Sequence, residues 1–389
     1  MVLNWLLIMT AVSLPFPDYS LVSKFIIVLG LYWLFLYNSL KNKIYHLKQY
    51  KYEFLSISVL FWLPVFGLFY SDNLNAAFKD LVLKIPFLLL PLIIFSIPQK
   101  LPFNLLHKYF AYSTVLVSIS AILQVLYFKY LLGIDYSFYH EFSFFTHKHT
   151  TYFGLFISIS IIYFAWNLLN NKGNLLLNII GLLILFMILY INANRLSFLA
   201  VIFGLTIISL YKLSVKSKFF IGFIGTLLFL LFTQSMFYQN RIRPLVNDTN
   251  GYNELNYKKK HWQAIWQTIK HNNIWVGAGT ESHRDYLYQK YKDNDYRIAY
   301  QEKYNAHNQL LEITLDFGLL GLLFFLASIF YHFSLINKNI YFLAIYISIT
   351  LFMMTESILE RQNGIIIWAL FVSLILRNIS NNNVSLTKI

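Results

Sequence analysis

The run Ala306-His307-Asn308-Gln309-Leu310-Leu311-Glu312-Ile313-Thr314-Leu315-Asp316-Phe317-Gly318-Leu319-Leu320-Gly321 concentrates reactive side chains at the start of a long apolar segment. As a helix it places Gly318 about 20° and Gly321 about 40° from His307 around the axis. Thr314 and Leu311 share that stripe, so a neighbouring helix can pack closely against Gly318 and Gly321. An imidazole at the mouth of such a helix meets water and can accept a proton, as a general base must. The alternative is an interfacial His307 that only caps the span. Glu312 and Asp316 fall on the opposite face, with Asp316 about 13 Å along the axis from His307. A carboxylate that deep needs a partner or a wet cavity, and the sequence names none.

Arg195 occupies a tight turn, Ile191-Asn192-Ala193-Asn194-Arg195-Leu196-Ser197, between two apolar runs. A guanidinium there either snorkels or grips an anion. A second polar stretch, Phe138-Tyr139-His140-Glu141 through His147-Lys148-His149-Thr150-Thr151-Tyr152, is rich in aromatics and histidines. His147 and His149 with His140 or Glu141 match no established zinc spacing. His149 and Tyr152, with Asn308, read better as residues shaping a substrate mouth. A third turn runs from Thr355 to Gly364; its Glu356 and Glu360 either orient Arg361 or are solvated.

The elements that must hold these residues are membrane helices. The 389 residues are 58% hydrophobic and 12% charged, whereas soluble domains have about 45–50% apolar and about 25% charged residues. That balance excludes a soluble enzyme and points to an all-α integral membrane protein. Twelve apolar runs are long enough to be considered as spans, near 2–14, 20–38, 54–70, 82–97, 108–129, 152–168, 174–192, 197–211, 219–234, 308–333, 340–354 and 363–378. With the N-terminus cytoplasmic, the inner loops hold thirteen Lys and Arg residues against one acid, Glu53. The positive-inside rule then puts both termini in the cytoplasm. The formal charge of +14 is scattered between the runs, so it reports topology and not a nucleic-acid surface. Six of the seven Arg fall on the outer side while Lys divides evenly, and Arg forks onto phosphate where Lys offers a point charge. There are no cysteines, which rules out a thiolate metal site or a Cys nucleophile.

One loop is large. It divides the chain into nine spans over 1–234, an outer loop over 235–306, and three spans with a cytoplasmic tail over 307–389. In it, Trp262, Ile265, Trp266 and Ile269 recur at i, i+3, i+4, i+7, predicting an amphipathic helix of about 257–271. That helix is either an interfacial anchor or a catalytic lid. Gly277-Ala278-Gly279 behind it predicts a turn.

His307-Asn308, nine residues, Gly318, two residues, Gly321 is similar to the signature of the O-antigen ligase and polymerase superfamily of bacterial membrane glycosyltransferases. The resemblance extends to the span count, the large loop before the His-bearing helix, and Arg195 in its short turn. It also covers Lys258-Lys259-Lys260-His261-Trp262 with Asn273-Ile274-Trp275-Val276-Gly277-Ala278-Gly279-Thr280, and the ending Glu356…Glu360-Arg361…Gly364. The resemblance implies a protein of the bacterial inner membrane with its active site facing the periplasm. It implies metal-independent, inverting transfer of a glycan from undecaprenyl diphosphate to a hydroxyl of lipid A–core or another glycan, in lipopolysaccharide biosynthesis, with no cofactor. His307 would be the general base, and Arg195 with Lys258 or Arg361 would meet the diphosphate. Lys258 stands where the family usually has an Arg, keeping the charge and losing the fork. The rival within the superfamily is a repeat-unit polymerase, and protein O-glycosylation is a third possibility. From another class the rival is a lipid-linked oligosaccharide transporter, against which stand the absence of internal repeats and the rim placement of the charges.

Overall fold

The computed structural model describes residues 2–99, 101–134, 142–212 and 254–386. Among them the protein is all-helical, without a strand. Among the described residues, seven helices are long and apolar enough to cross a membrane: Tyr19–Leu36, Lys51–Tyr70, Phe103–Leu131, Thr150–Leu169, Leu175–Asn192, Gln309–Ile336 and Gln362–Ser380. Val2–Ser13, Arg195–Tyr211 and Ile340–Phe352 are shorter apolar helices. The run expected at 82–97 is two helices, Leu74–Lys84 and Pro86–Phe95. They part at Ile85 because Pro86 has no backbone N–H to continue a helix and suits a first turn. The expected span 219–234 lies outside the described residues, as do Arg241, Arg243, His140 and Glu141.

Burial sorts these helices into centre and rim. Gln362–Ser380 is enclosed along its whole length and Thr150–Leu169 along most of it, while the other five long helices keep Leu, Ile or Phe side chains exposed, as lipid contact allows. Thr150–Leu169 packs against Phe103–Leu131, Leu175–Asn192, Arg195–Lys212 and Ile340–Phe352. Gly154 makes the approach to Arg195–Lys212 possible, since a Cβ there would overlap the Ser197 hydroxyl.

Helix Gln309–Ile336 (α1) is broken at Gly318, where φ is 62° and ψ −162°. That conformation is essentially restricted to glycine. The loop segment 273–280 fits into the break. Ala278 and Gly279 donate backbone N–H bonds to the carbonyls of Leu315 and Asp316, and Leu319 and Leu320 donate to those of Ile274 and Trp275. Below the break, Leu319, Leu320, Leu323, Phe324, Phe330 and Phe333 are exposed, whereas residues 312–318 are all buried. The 19 residues from Gly318 to Ile336 span roughly 28 Å, about one hydrocarbon thickness. Glu312 and Asp316 therefore precede the lipid-facing stretch.

The amphipathic helix of the loop is Glu254–His271 (α2). Its apolar quartet divides. Ile265 and Ile269 join Ala264, Leu287, Tyr291, Ala299, Ala306 and Leu315 in a second small core. Trp262 and Trp266 remain 68% and 54% exposed. The period marks one side of the helix, but the small core is wide enough for only half of it.

Candidate active site

His307 stands just outside α1, with φ at 45°. A left-handed conformation costs a non-glycine residue roughly 1–2 kcal/mol, and such strain persists only where neighbours enforce it. Here they are all visible. The His307 N–H donates to Asn305 Oδ1 at 3.0 Å. The preceding Ala306 N–H donates to Glu312 Oε2 at 2.8 Å, and its carbonyl pairs with His261 Nε2 at 3.1 Å. Asn308 caps α1 by accepting from the N–H groups of Leu310 and Leu311, the role for which Asn is favoured. The His307 ring lies between Tyr304 and His261, with centroids 5.0 and 5.5 Å away.

His307 Nδ1 lies 3.3 Å from Glu356 Oε2. With Glu356 ionised, the tautomer that satisfies this contact carries its proton on Nδ1 and leaves the Nε2 lone pair as acceptor. Burial works against the Glu356 carboxylate, but the bond to His307, with the Arg361 charge nearby, holds it below the usual carboxylate range. The 353–360 segment that carries Glu356 is stitched to the first turn of α1. Asn308 Nδ2 donates to Met354 O, Gln309 N to Met353 O, and Gln309 Nε2 to Glu360 Oε1. In return Leu359 N donates to Gln309 Oε1 and Ser357 Oγ to Glu312 Oε2. Glu312 thus holds the residue before His307 and the residue after Glu356 with one oxygen.

The partner the sequence did not name for Glu312 and Asp316 is His283. Its Nδ1 lies 2.7 Å from Asp316 Oδ1 and its Nε2 3.5 Å from Glu312 Oε1. Burial alone would lower the imidazolium, but the two carboxylates push it up to about 10. Arg284 adds a contact to Glu312 at 3.1 Å and a forked pair with Glu281. Beside this group Lys84 lies 2.9 Å from both Asp80 and Glu360, fully enclosed. Glu360 thus serves Lys84 and Gln309 and does not simply orient Arg361. Asp80, Glu281 and Glu360 could together ligate a metal ion. The Lys84 ammonium already supplies positive charge to two of them.

The remaining expected site residues fall as follows. His149 caps Thr150–Leu169, accepting from Thr151 N. It is within electrostatic reach of Glu356, Arg361 and His307, and burial lowers its pKa, with Glu356 opposing and Arg361 adding to the shift. Tyr152 is buried beside His149, within reach of Glu356 and Arg361. Arg361 is exposed at the end of the turn that carries Glu356. Arg195 opens its helix one residue after Asn194, whose Nδ2 donates to Thr151 Oγ1, while Asn192 Nδ2 donates to Thr150 O. These bonds set the Arg195 turn against the start of the His149 helix. Lys258 is exposed on α2, one turn before His261. His147, Ala193 and His307 are all left-handed, and each turns the chain into a helix that bears site residues.

Gly318 and Gly321 are not a groove for another helix. The stripe expected from His307 is interrupted, because His307 is outside the helix and Gly318 is not helical. A Cβ on Gly318 would strike the backbone of Trp275 and Val276, and one on Gly321 would strike Phe317 of its own helix. The amides of Gly277-Ala278-Gly279 are engaged by Asn273, Leu315 and Asp316, so this turn docks the loop and has no N–H groups to spare for phosphate. The sequence reading gave Glu356 and His261 no part beside His307, and it did not name His283 at all. Glu356 and His261 lie within the segments that the resemblance covers, and His283 lies three residues beyond them.

Residues 180–326 match the family model described as O-antigen ligase. That match, over 147 of the 389 residues, supports membership of the O-antigen ligase superfamily. The matched stretch holds Arg195, Lys258, His307, Gly318 and Gly321, and ends before Glu356 and Arg361. The superfamily implies a glycosyltransferase-type membrane enzyme. No curated protein matches the chain.

Proposed function

We propose that this chain transfers a glycan from a polyprenyl diphosphate, of the undecaprenyl type, to an acceptor hydroxyl on lipid A–core at the periplasmic face of the inner membrane. The His307–Glu356 pair carries this reading: a base oriented by a carboxylate, 40% exposed at its side chain, beside the Arg361 guanidinium and the His149 imidazole. His307 Nε2 takes the proton of the acceptor hydroxyl. The acceptor oxygen attacks the anomeric carbon as the bond from that carbon to the diphosphate oxygen breaks, and the electron pair leaves on the lipid diphosphate. Attack opposite the leaving group inverts the anomeric centre.

Glu356 fixes the base-competent tautomer and stabilises the imidazolium that forms. Arg361 and Arg195, with Lys258 on the loop helix, meet the charge of the departing diphosphate. The leaving group is already activated, so positioning and charge stabilisation suffice. The starts of Thr150–Leu169, Arg195–Lys212 and α1 gather at this end of the bundle, and helix N-termini favour anions.

The test is complementation of a strain lacking its own ligase with the wild-type chain or His307→Ala at matched expression, read as lipopolysaccharide banding. The expected result is long-chain bands restored by the wild type alone. Equal restoration by both would remove His307 from catalysis. Repeat-unit ladders unattached to core would make the enzyme a polymerase instead.

A further inference from the structure

The loop tip Ile274-Trp275-Val276 is apolar and turned outward, with Trp275 61% exposed and both neighbours also open. Two helices independently fix its height in the bundle. Lys51–Tyr70 has 20 residues, about 30 Å or one hydrocarbon thickness. It packs against α1 and runs antiparallel to it. Near one end His332 Nε2 lies 2.9 Å from Ser56 Oγ, and at the other end the tip joins both helices. There the Tyr70 hydroxyl donates to Val276 O at 2.8 Å. The N–H groups of Leu319 and Leu320 donate to Ile274 O and Trp275 O at 2.9 and 3.0 Å. The tip therefore lies where Lys51–Tyr70 ends and where the lipid-facing stretch of α1 begins. Phe69, 84% exposed, continues the apolar surface with Tyr70, Leu319 and Leu320.

Non-helical backbone enters a membrane only where its polar groups are paired. All three tip carbonyls accept the bonds just described, and the N–H groups of Trp275 and Val276 donate to Asn273 Oδ1 at 2.9 and 3.4 Å. Polar groups begin immediately behind, where Ser71 Oγ and the Asp72 N–H bond Ser282 Oγ. Trp and Tyr favour the boundary between headgroups and hydrocarbon, and a contiguous exposed apolar patch marks a contact surface. We propose that Ile274-Trp275-Val276 is inserted at the lipid boundary on the His307 side of the bundle, where with Phe69 and Tyr70 it anchors the large loop to the bilayer. The same segment fills the break at Gly318. Lipid contact there thus secures the loop whose His261 pairs with Ala306, the residue before His307.

The chain has no cysteine, so Ile274→Cys carries a single nitroxide and leaves Trp275 in place. The full chain in phosphatidylcholine nanodiscs is read by power-saturation electron paramagnetic resonance, with oxygen as the lipid-soluble collider and a nickel chelate as the aqueous one. The references are Leu323→Cys, on the lipid-facing stretch of α1, and Lys292→Cys, exposed on the helix Arg284–Asp293. The oxygen-to-nickel collision ratio at 274 should exceed that at 292 severalfold and approach that at 323. A ratio equal to that at 292 puts the tip in water and overturns the proposal. A label shielded from both colliders puts the tip against protein, a second copy or another subunit, and overturns it equally.

Anchoring has its own readout. Trp275→Ser should raise protease cleavage between residues 273 and 283 severalfold in the same nanodiscs, and Trp275→Tyr, which keeps a boundary-seeking ring, should stay near wild type. An unchanged cleavage rate in Trp275→Ser would show that lipid contact at the tip does not hold the loop.

Discussion

His307 and Glu356 are 49 residues apart in the chain, yet His307 Nδ1 and Glu356 Oε2 lie 3.3 Å from each other. The contact depends on a carboxylate accepting from Nδ1. A glutamine at 356 can present its amide N–H to Nδ1, which moves the ring proton to Nε2 and removes the base. General-base catalysis is worth about 10²–10⁴ in rate. His307→Ala should lose that much in kcat, and Glu356→Gln should come within about tenfold of it, with KM for the donor little changed. A wild-type kcat in Glu356→Gln would show that the pair does not orient the base.

Gly318 and Gly277 face each other across the break in α1, and each would drive a Cβ into the other's segment. Gly318→Ala combines a backbone state closed to alanine with a clash, and should cost on the order of 3 kcal/mol or more. Gly277→Ala, at φ 72° against Asp316, should behave alike. Thermal unfolding reads the loss, and protease cleavage between residues 273 and 283 should rise as the loop undocks. Unaltered melting of both variants would mean that this docking contributes little.

His283 makes stability depend on pH in a definite direction. Its folded pKa of about 10 exceeds the ordinary value near 6.5, so the folded state binds the proton more tightly. Its contribution is complete below about pH 6.5 and is lost as pH rises through about 10. His261 behaves oppositely. Burial lowers it to about 4, so its contribution is present above about pH 6.5 and is lost as pH falls through about 4. Melting temperature should therefore decline on both sides of neutrality, and His283→Gln should flatten the alkaline limb only. An alkaline limb unchanged in that variant would refute the assignment.

Lys84 compensates two enclosed carboxylates. Lys84→Met leaves Asp80 and Glu360 facing each other without a cation, and breaking a buried pair typically costs about 3–5 kcal/mol. Adding Asp80→Asn and Glu360→Gln should return most of that. Urea or thermal unfolding in matched micelles measures both steps. If the single variant is as stable as wild type, the cluster holds its charge in some other way.

Much of the architecture was legible in the residues. Apolar runs of membrane length predict helices because a backbone in lipid must satisfy itself, and ten of the twelve expected spans correspond to described apolar helices. An eleventh divides at Pro86, whose missing N–H the letter itself announces. His307, Arg195 and the loop helix were also found where polar residues interrupt or follow apolar periodicity.

What the sequence by itself determined was local: where the chain must be helical, which residues stand at helix mouths, and which charges lie at the rim. The tertiary structure alone decided that Glu356 meets His307, that His283 neutralises Glu312 and Asp316, and that Lys84 serves Asp80 and Glu360. It also decided that Gly318 opens a helix to a docking loop, although its spacing suited a helix-packing stripe. Each of these joins segments tens or hundreds of residues apart. Hydropathy and 3.6-residue periodicity describe how a segment meets lipid or core, not which other segment lies there. The left-handed turn at His307 shows the same limit, because an L-residue enters that conformation only when Glu312, His261 and Asn305 hold the chain on either side of it.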